Sequence, residues 1–162
     1  MPDMLVQLLK LPPIEPLISE MRENGVIIRR AMAHEISRVR GFVERTFSIA
    51  WADEITVAYS NKPVSLFIAF RDGEVIGFAA YETTRRGFFG PTGVAPTERG
   101  KYIGKALLLA SLWGLRETGY VYGIIGGAGP IDFYAKHCGA TVIPESEPGI
   151  YADPLKKPTA PT

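Results

Sequence analysis

Apolar residues recur at helical spacing in the first half of the chain. Ile36, Val39, Val43 and Phe47 follow one another at intervals of three or four residues. This spacing places them on one face of a helix, so the pattern predicts an amphipathic helix over residues 34–48.

A second stretch, residues 101–118, has a wider apolar stripe that includes most of its leucines and alanines. A stripe of this width indicates a helix that is buried on most sides. Gly119 follows directly, in the position where left-handed backbone commonly ends a helix. We therefore predict one long, largely buried helix there.

Strands are predicted between and after these helices. Residues 64–71 and 74–84 are rich in apolar and β-branched residues, and Asp72-Gly73 between them is a strong hairpin signal. Glycine and proline interrupt the strand predicted at 87–95, which indicates an irregular edge or a bulge. The remaining predictions are strands at 26–30, 120–125, 140–143 and 149–151, and helices at 51–60 and 130–138.

The order of these elements predicts the fold class and the domain organisation. Hairpin-linked strands come first and a strand–helix–strand unit follows, which is typical of a mixed α/β domain with a mostly antiparallel sheet flanked by helices. We expect this domain to span residues 26–152. Residues 1–25 are expected to form an N-terminal extension of short helices, and residues 153–162 a flexible C-terminal tail.

Composition narrows the classes of function. The 162 residues carry a net charge of +1, so no basic excess favours nucleic-acid binding. The single cysteine, Cys138, excludes an internal disulfide and a cysteine-rich zinc site. The apolar run near the start lacks the features of a signal peptide, and no run is long enough to cross a membrane. We expect a cytoplasmic protein with neither a metal nor a membrane partner.

The turn that opens the leucine-rich helix has the features of an anion site. The first amides of a helix have no partner within the helix, and the helix dipole adds partial positive charge there. Gly100 and Gly104 let a ligand approach the backbone, and Lys101 and Lys105 add positive charge. A diphosphate is the anion that suits such a site.

This segment resembles a known family signature. The run Val94-x-Pro96-x-x-Arg99-Gly100-x-x-x-Gly104 is similar to the acyl-CoA motif of the GNAT N-acyltransferases. That motif is summarised as Arg or Gln, two residues, Gly, one residue, then Gly or Ala.

One position departs from the motif, because Tyr102 stands where its central glycine is expected. Residues 132–140 resemble a second segment of the family, Phe-Tyr-x-Lys-x-Gly-Phe, with one residue more before Gly139. Together the two similarities cover roughly residues 26–151.

The resemblance implies a fold and a donor site. A GNAT-like sheet has a splayed pair of strands, and the cleft between them holds acetyl-CoA as cosubstrate. Pantetheine would add to the free strand edge through the backbone of Val94 and Pro96. The cofactor-binding residues implied in this way are Val94, Pro96, Arg99, Gly100, Lys101, Tyr102, Ile103, Gly104 and Lys105.

The resemblance also implies catalytic roles. An amine would attack the thioester directly, the N–H of Val94 would stabilise the oxyanion, and Tyr134 would protonate the departing thiolate as general acid. Glu82 is a candidate general base that would also contact substrate, and Trp51 is a candidate substrate contact.

Several alternatives stay open at this point. The acceptor is a small amine or amino sugar in one reading, and a peptide N-terminus or lysine in another. A chain that binds acyl-CoA without catalysis, as a sensor, is the alternative function. The oligomeric state is also open, a homodimer included.

Overall fold

A seven-stranded sheet forms the centre of the protein in the computed structural model, which describes residues 1–157. The strands lie in the order β2-β3-β4-β5-β6-β1-β7, and every neighbouring pair is antiparallel except β5 and β6, which are parallel. This confirms the predicted mixed α/β class with a mostly antiparallel sheet. The strands are β1 (Met4–Gln7), β2 (Ile27–Arg30), β3 (Leu66–Arg71), β4 (Glu74–Tyr81), β5 (Phe88–Val94), β6 (Tyr122–Ile125) and β7 (Thr141–Val142).

Among residues 1–157 five α-helices flank the sheet, and the two main ones predicted from periodicity are among them. The longest has 16 residues, and within residues 1–157 no helix is both long and apolar enough to cross a membrane. The helices are α1 (Glu15–Glu23), α2 (Ile36–Thr46), α3 (Ile49–Thr56), α4 (Ile103–Thr118) and α5 (Ile131–Cys138).

The core has two parts, one on each face of the sheet. Along β4, Phe78 and Ala80 pack into one cluster, whereas Ala79 and Tyr81 pack into the other. Successive strand residues point to opposite faces, so this alternation separates the clusters. Helices α2 and α3 cover the first face, and α1 and α4 cover the second.

Helix α4 packs directly against β4. A Cβ atom built on Gly114 would lie 2.5 Å from Cζ of Tyr81, so glycine is required for this approach. The Ser111 hydroxyl, buried in the same interface, donates to the carbonyl of Ala79 at 3.3 Å. These contacts fix where the helix begins relative to the sheet.

The hairpin between β3 and β4 confirms its sequence signal. Asp72 and Gly73 have φ angles of 49° and 78°, the left-handed values that a tight two-residue turn requires. Asp and Gly both adopt this conformation more readily than other residues.

The structure differs from the prediction at the start of the chain. Helix α1 was expected, but residues 4–7 form a strand rather than a short helix, and this strand lies between β6 and β7. Met4 pairs with Ile125 and with Val142, so the strand is held by partners that local sequence does not indicate.

Two predictions near the C-terminus also need comment. Residues 149–151 form a 3-10 turn instead of a strand, because Gly149 has a φ of 55° and Pro148 lacks the N–H that a strand pairing would use. Of the predicted tail, residues 153–157 are exposed, and the rest lies outside the described residues.

Adjacent leucines test whether the N-terminal segment belongs to the core. Leu8 is 0% exposed and Leu9 is 60% exposed. We expect Leu8→Ala to lower the free energy of unfolding by about 2–5 kcal/mol through lost burial and a cavity. We expect Leu9→Ala to change it by less than about 0.5 kcal/mol. Urea unfolding followed by circular dichroism measures both, and equal stability of the two variants would contradict the integrated role of this segment.

Candidate functional site

Strands β5 and β6 separate shortly after they meet. They pair only at Phe88 with Ile124 and at Phe89 with Ile125, and a cleft of about 950 Å³ opens beyond that point. The next residue of β5, Gly90, has a φ of 119°, and Pro91 after it has no N–H to donate to a neighbouring strand. The sequence of β5 therefore ends its pairing with β6 at this point, as the predicted irregular edge indicated.

On the edge of β5 that faces this cleft, the backbone groups beyond Phe89 form no hydrogen bonds with β6. The N–H of Ala95 donates to the carbonyl of Ile76 on the β4 side at 2.8 Å. Because backbone groups alternate along an antiparallel ladder, the N–H groups of Val94 and Thr92 point away from β4 and toward the cleft. The carbonyl of Val94 accepts from Nε of Arg99 at 3.3 Å. Thr92 is a cleft-facing donor that sequence reasoning missed.

The N-terminus of α4 closes one end of the cleft. The N–H of Ala106 donates to the carbonyl of Tyr102 at 3.0 Å, which leaves the amides of Ile103, Gly104 and Lys105 without a partner inside the helix. All three residues line the cleft. The backbone groups of the predicted anion site thus face an open space.

Tyr102 resolves the departure from the family motif. Its φ of 63° lies in the left-handed region that glycine favours, and its side chain is exposed. The tyrosine therefore adopts the backbone conformation expected of the glycine it replaces, at a cost of roughly 1–2 kcal/mol.

The charges around this end of the cleft differ from the prediction. Lys101 is not part of the cleft lining, and its ammonium binds at 3.0 Å the carboxylate of Glu98, which does line the cleft. This hydrogen bond is the main cause of a lowered pKa of Glu98, and Arg71 contributes to the same effect. Arg99 and Lys105 do line the cleft, so they are the cations available to a bound anion.

Pro96 is a second predicted cofactor contact whose position differs from that of the others. It begins the 3-10 turn Pro96–Glu98 after the end of β5 and is not part of the cleft lining. The remaining predicted contacts line the cleft: Val94, Arg99, Gly100, Tyr102, Ile103, Gly104 and Lys105.

Helix α5 forms part of the cleft wall and contributes Tyr134. This residue is 6% exposed and packs edge-on against Phe89 and Phe133, with ring centroids 6.1 and 5.3 Å apart. Burial, with a smaller effect of Cys138, raises the pKa of Tyr134 to about 12. The hydroxyl is therefore protonated at neutral pH and is able to donate a hydrogen bond.

His137, one turn further along α5, also lines the cleft. Its ring lies edge-on to Phe133 at a centroid distance of 4.7 Å. Burial lowers the pKa of His137, and the charges of Lys105 and Lys136 lower it further.

A smaller cavity of about 490 Å³, which we call the side cavity, adjoins the cleft. Trp51 on α3 lines both spaces and packs against Phe47 and Phe78 at 5.5 and 6.1 Å. The predicted substrate contact thus lies where the two spaces join. The side cavity is lined by Met1, Trp51, Glu54, Thr84, Phe88, Phe89, Gly90, Pro91, Gly126, Gly127, Glu147, Pro148 and Tyr151.

Glu54 is a carboxylate of the side cavity that sequence reasoning missed. It stands three residues after Trp51 on α3, and side chains at this spacing share a helix face. Ser48 begins the helix and accepts the N–H of Trp51 at 3.1 Å. The three-residue spacing between Trp51 and Glu54 is the sequence signal from which Glu54 could have been predicted.

Glu82, the candidate base, is not brought to either space. Its φ is 59°, and its carboxylate accepts the N–H of Gly87 and the hydroxyl of Tyr120, the latter at 3.2 Å. It lines neither the cleft nor the side cavity. Strand β4 ends at Tyr81 instead of continuing to residue 84 as predicted, so Glu82 lies in the turn between β4 and β5. Its hydrogen bonds there stabilise this turn.

Metal ligands are not grouped in the part of the chain that the structure describes. Across residues 1–157 no cluster of three or more His, Cys, Asp or Glu side chains is placed to bind an ion.

Comparison with known proteins gives one family and one fold. Residues 30–140 match the family model described as the acetyltransferase (GNAT) family. Curated protein sequences give no match.

Solved structures of low identity share the fold. A GCN5-related glucosamine N-acetyltransferase region of a fungal multi-domain GH3 β-N-acetylglucosaminidase has a TM-score of 0.72 at 19% identity, over 88% of this chain and 19% of that one. A GCN5-related N-acetyltransferase from Sphaerobacter thermophilus has a TM-score of 0.66 at 20% identity, over 88% of this chain and 48% of that one. A GNAT acetyltransferase from Colwellia psychrerythraea has a TM-score of 0.61 at 15% identity, over 87% of this chain and 52% of that one. This chain thus spans from about a fifth to about half of their lengths.

The single cysteine gives a test of burial beside the cleft. Burial raises the pKa of Cys138 from 9.0 to about 11, and its thiol donates to the carbonyl of Tyr134 at 3.1 Å. We expect Cys138 of the native protein to react with Ellman's reagent at pH 8 about 100-fold more slowly than in the unfolded protein, because the thiolate is the reactive form. The absorbance time course in buffer and in guanidinium measures this, and similar rates would contradict the buried environment.

Proposed function

Because the chain belongs to the GNAT acetyltransferase family, we propose that it binds acetyl-CoA between β5 and β6 and transfers the acetyl group to an amine nitrogen. One observation carries the proposal. The cleft brings together a free strand edge, the unpaired amides that begin α4 and the hydroxyl-bearing side chain of Tyr134. These are groups suited to an amide-bearing arm, a diphosphate and a departing thiolate.

The donor would lie along the cleft in an extended conformation. Its diphosphate would accept hydrogen bonds from the amides of Ile103, Gly104 and Lys105, with positive charge from the side chains of Lys105 and Arg99. Its pantetheine arm would lie along the free edge of β5, as a peptide adds to a sheet edge, with the N–H groups of Thr92 and Val94 facing the donor.

Acetyl transfer follows from direct attack on the thioester. The neutral amine forms a bond to the carbonyl carbon, and negative charge develops on the carbonyl oxygen. The N–H of Val94 is the donor that we assign to this oxygen. Thr92, two residues earlier on the same edge of β5, offers a second N–H. A fixed backbone donor of this kind contributes about 10²–10³ in rate.

Tyr134 would complete the reaction at the sulfur. As the carbon–sulfur bond breaks, its hydroxyl donates to the departing thiolate. The pKa of Tyr134, at about 12, is higher than that of a thiol, roughly 8.5. The phenol therefore gives up its proton to sulfur only as it regains one from the nitrogen of the new amide. The products are the amide and the free thiol of CoA.

Gly104 tests the donor site. A Cβ atom there would lie 3.7 Å from Val94 and 3.8 Å from Phe133, which are ordinary contact distances. Gly104→Ala is therefore the matched control and should bind acetyl-CoA nearly as well as the wild type. Gly104→Glu adds bulk and negative charge beside the diphosphate, and we expect it to weaken binding at least about 100-fold. Isothermal titration calorimetry measures both, and unchanged affinity of the glutamate variant would remove the diphosphate from this position.

Tyr134→Phe tests the acid. The substitution keeps the packed ring and removes the hydroxyl, so we expect kcat to fall about 100-fold while the Kd of acetyl-CoA changes less than about twofold. Tyr122→Phe is the control, because Tyr122 is 56% exposed and lines neither space. Release of CoA with a panel of amines gives the rates. Equal rates for both variants would exclude Tyr134 as the acid, and donor binding without turnover on any amine would make the chain an acyl-CoA sensor.

A further inference from the structure

We propose that the side cavity receives the acceptor, that Glu54 binds its ammonium group, and that the acceptor is a primary amine on an aromatic body. This inference rests on the proposed function and adds the class of acceptor to it. Glu54 is in this view a specificity-determining residue that binds the ammonium form, and the amine gives up its extra proton to water before it attacks the thioester.

The side cavity leads to the place where chemistry would occur. Trp51, Phe89 and Gly90 line both it and the cleft, at the point where β5 and β6 separate. A molecule in the side cavity therefore reaches the cleft without crossing a layer of protein. Its volume, about 490 Å³, falls within the range of small-molecule sites.

The walls of the side cavity favour an aromatic guest. Trp51, Phe88, Phe89 and Tyr151 contribute aromatic rings. Aromatic side chains offer large apolar surface and edge-to-face or stacked contacts to a ring. An amino sugar would bring several hydroxyl groups instead. The lining has few polar side chains to pair with them, and unpaired polar groups are costly to bury.

The charged side chains of the lining favour a cation. Of the described residues that line the side cavity, Glu54 and Glu147 are acidic and none is Lys or Arg. Glu147 already pairs with the amino group of Met1. Glu54 has no such partner among the described residues, since its Oε1 accepts the Thr84 hydroxyl and its Oε2 has no hydrogen bond there.

The environment of Tyr151 is consistent with negative charge at this wall. Burial is the main cause of the raised pKa of Tyr151, and the charges of Glu54 and Asp3 raise it further. Arg85 acts in the opposite direction. A cation placed beside Tyr151 would lie near the Glu54 carboxylate and against an aromatic ring, both of which line the side cavity.

Two ligands of nearly equal shape isolate the role of Glu54. 2-Phenylethylamine carries the ammonium group and 2-phenylethanol replaces it with a hydroxyl. Calorimetric titration of both into the protein saturated with CoA, which has no acetyl group to transfer, measures binding without turnover. We expect the amine to bind about 10- to 100-fold more tightly than the alcohol.

Two variants on α3 identify the carboxylate responsible. Glu54→Gln keeps an oxygen to accept the Thr84 hydroxyl and removes the charge, and we expect it to reduce the preference for the amine to less than about threefold. Asp53→Asn removes the same charge one residue earlier, from a side chain that is 66% exposed and pairs with Arg40 at 2.5 Å. We expect this control to keep the wild-type preference.

The outcomes separate this inference from the proposed function. An unchanged preference in Glu54→Gln, or tighter binding of glucosamine than of 2-phenylethylamine, would overturn the assignment of the side cavity. The same titrations are repeated on protein without CoA. If CoA itself fails to bind while the amine preference and its loss in Glu54→Gln persist, the donor site is wrong and the amine site stands.

Discussion

The separation of β5 from β6 is the constraint on which the site depends. Beyond Phe89 the two strands no longer share hydrogen bonds, so β5 keeps one edge whose N–H groups at Thr92 and Val94 are not paired with β6. A free edge in the middle of a sheet is costly unless something pairs with it or water reaches it. Gly90 and Pro91 make this separation a property of the sequence, so the cleft is a preformed part of the fold.

The leucine-rich helix links this cleft to the stability of the whole domain. The contacts that Gly114 and Ser111 make with β4 hold the helix at a fixed depth. Its first turn is therefore held in place by packing further along the helix, at residues that do not line the cleft. Binding groups supported in this way need little reordering when a ligand arrives, which is the advantage of preorganisation.

Local signals predicted the parts of the protein that short stretches of sequence determine. The hairpin at Asp72-Gly73, the buried helix and the turn at Gly100 each depend on a few neighbouring residues, and each was found. Pairings between distant segments were not found. Residues 4–7 form an apolar run whose sequence gives no indication of partners near residues 124 and 142. The predicted strand 74–84 included Glu82, but the observed strand ends at Tyr81, one residue before it. The pairing of Lys101 with Glu98 was missed for a different reason, because two charges three residues apart contact only in some backbone conformations.

The position of β1 has a consequence for how the protein is made. Its partners are residues 122–125 and 141–142, so β1 has its neighbours only after more than 100 further residues have been synthesised. Until then Met4, Val6 and Leu8 have no core to enter, although all three are buried in the finished fold. Contacts between such distant segments form slowly. The pairing of β1 therefore forms later during synthesis than the hairpin of β3 and β4, whose two strands follow each other directly in the sequence.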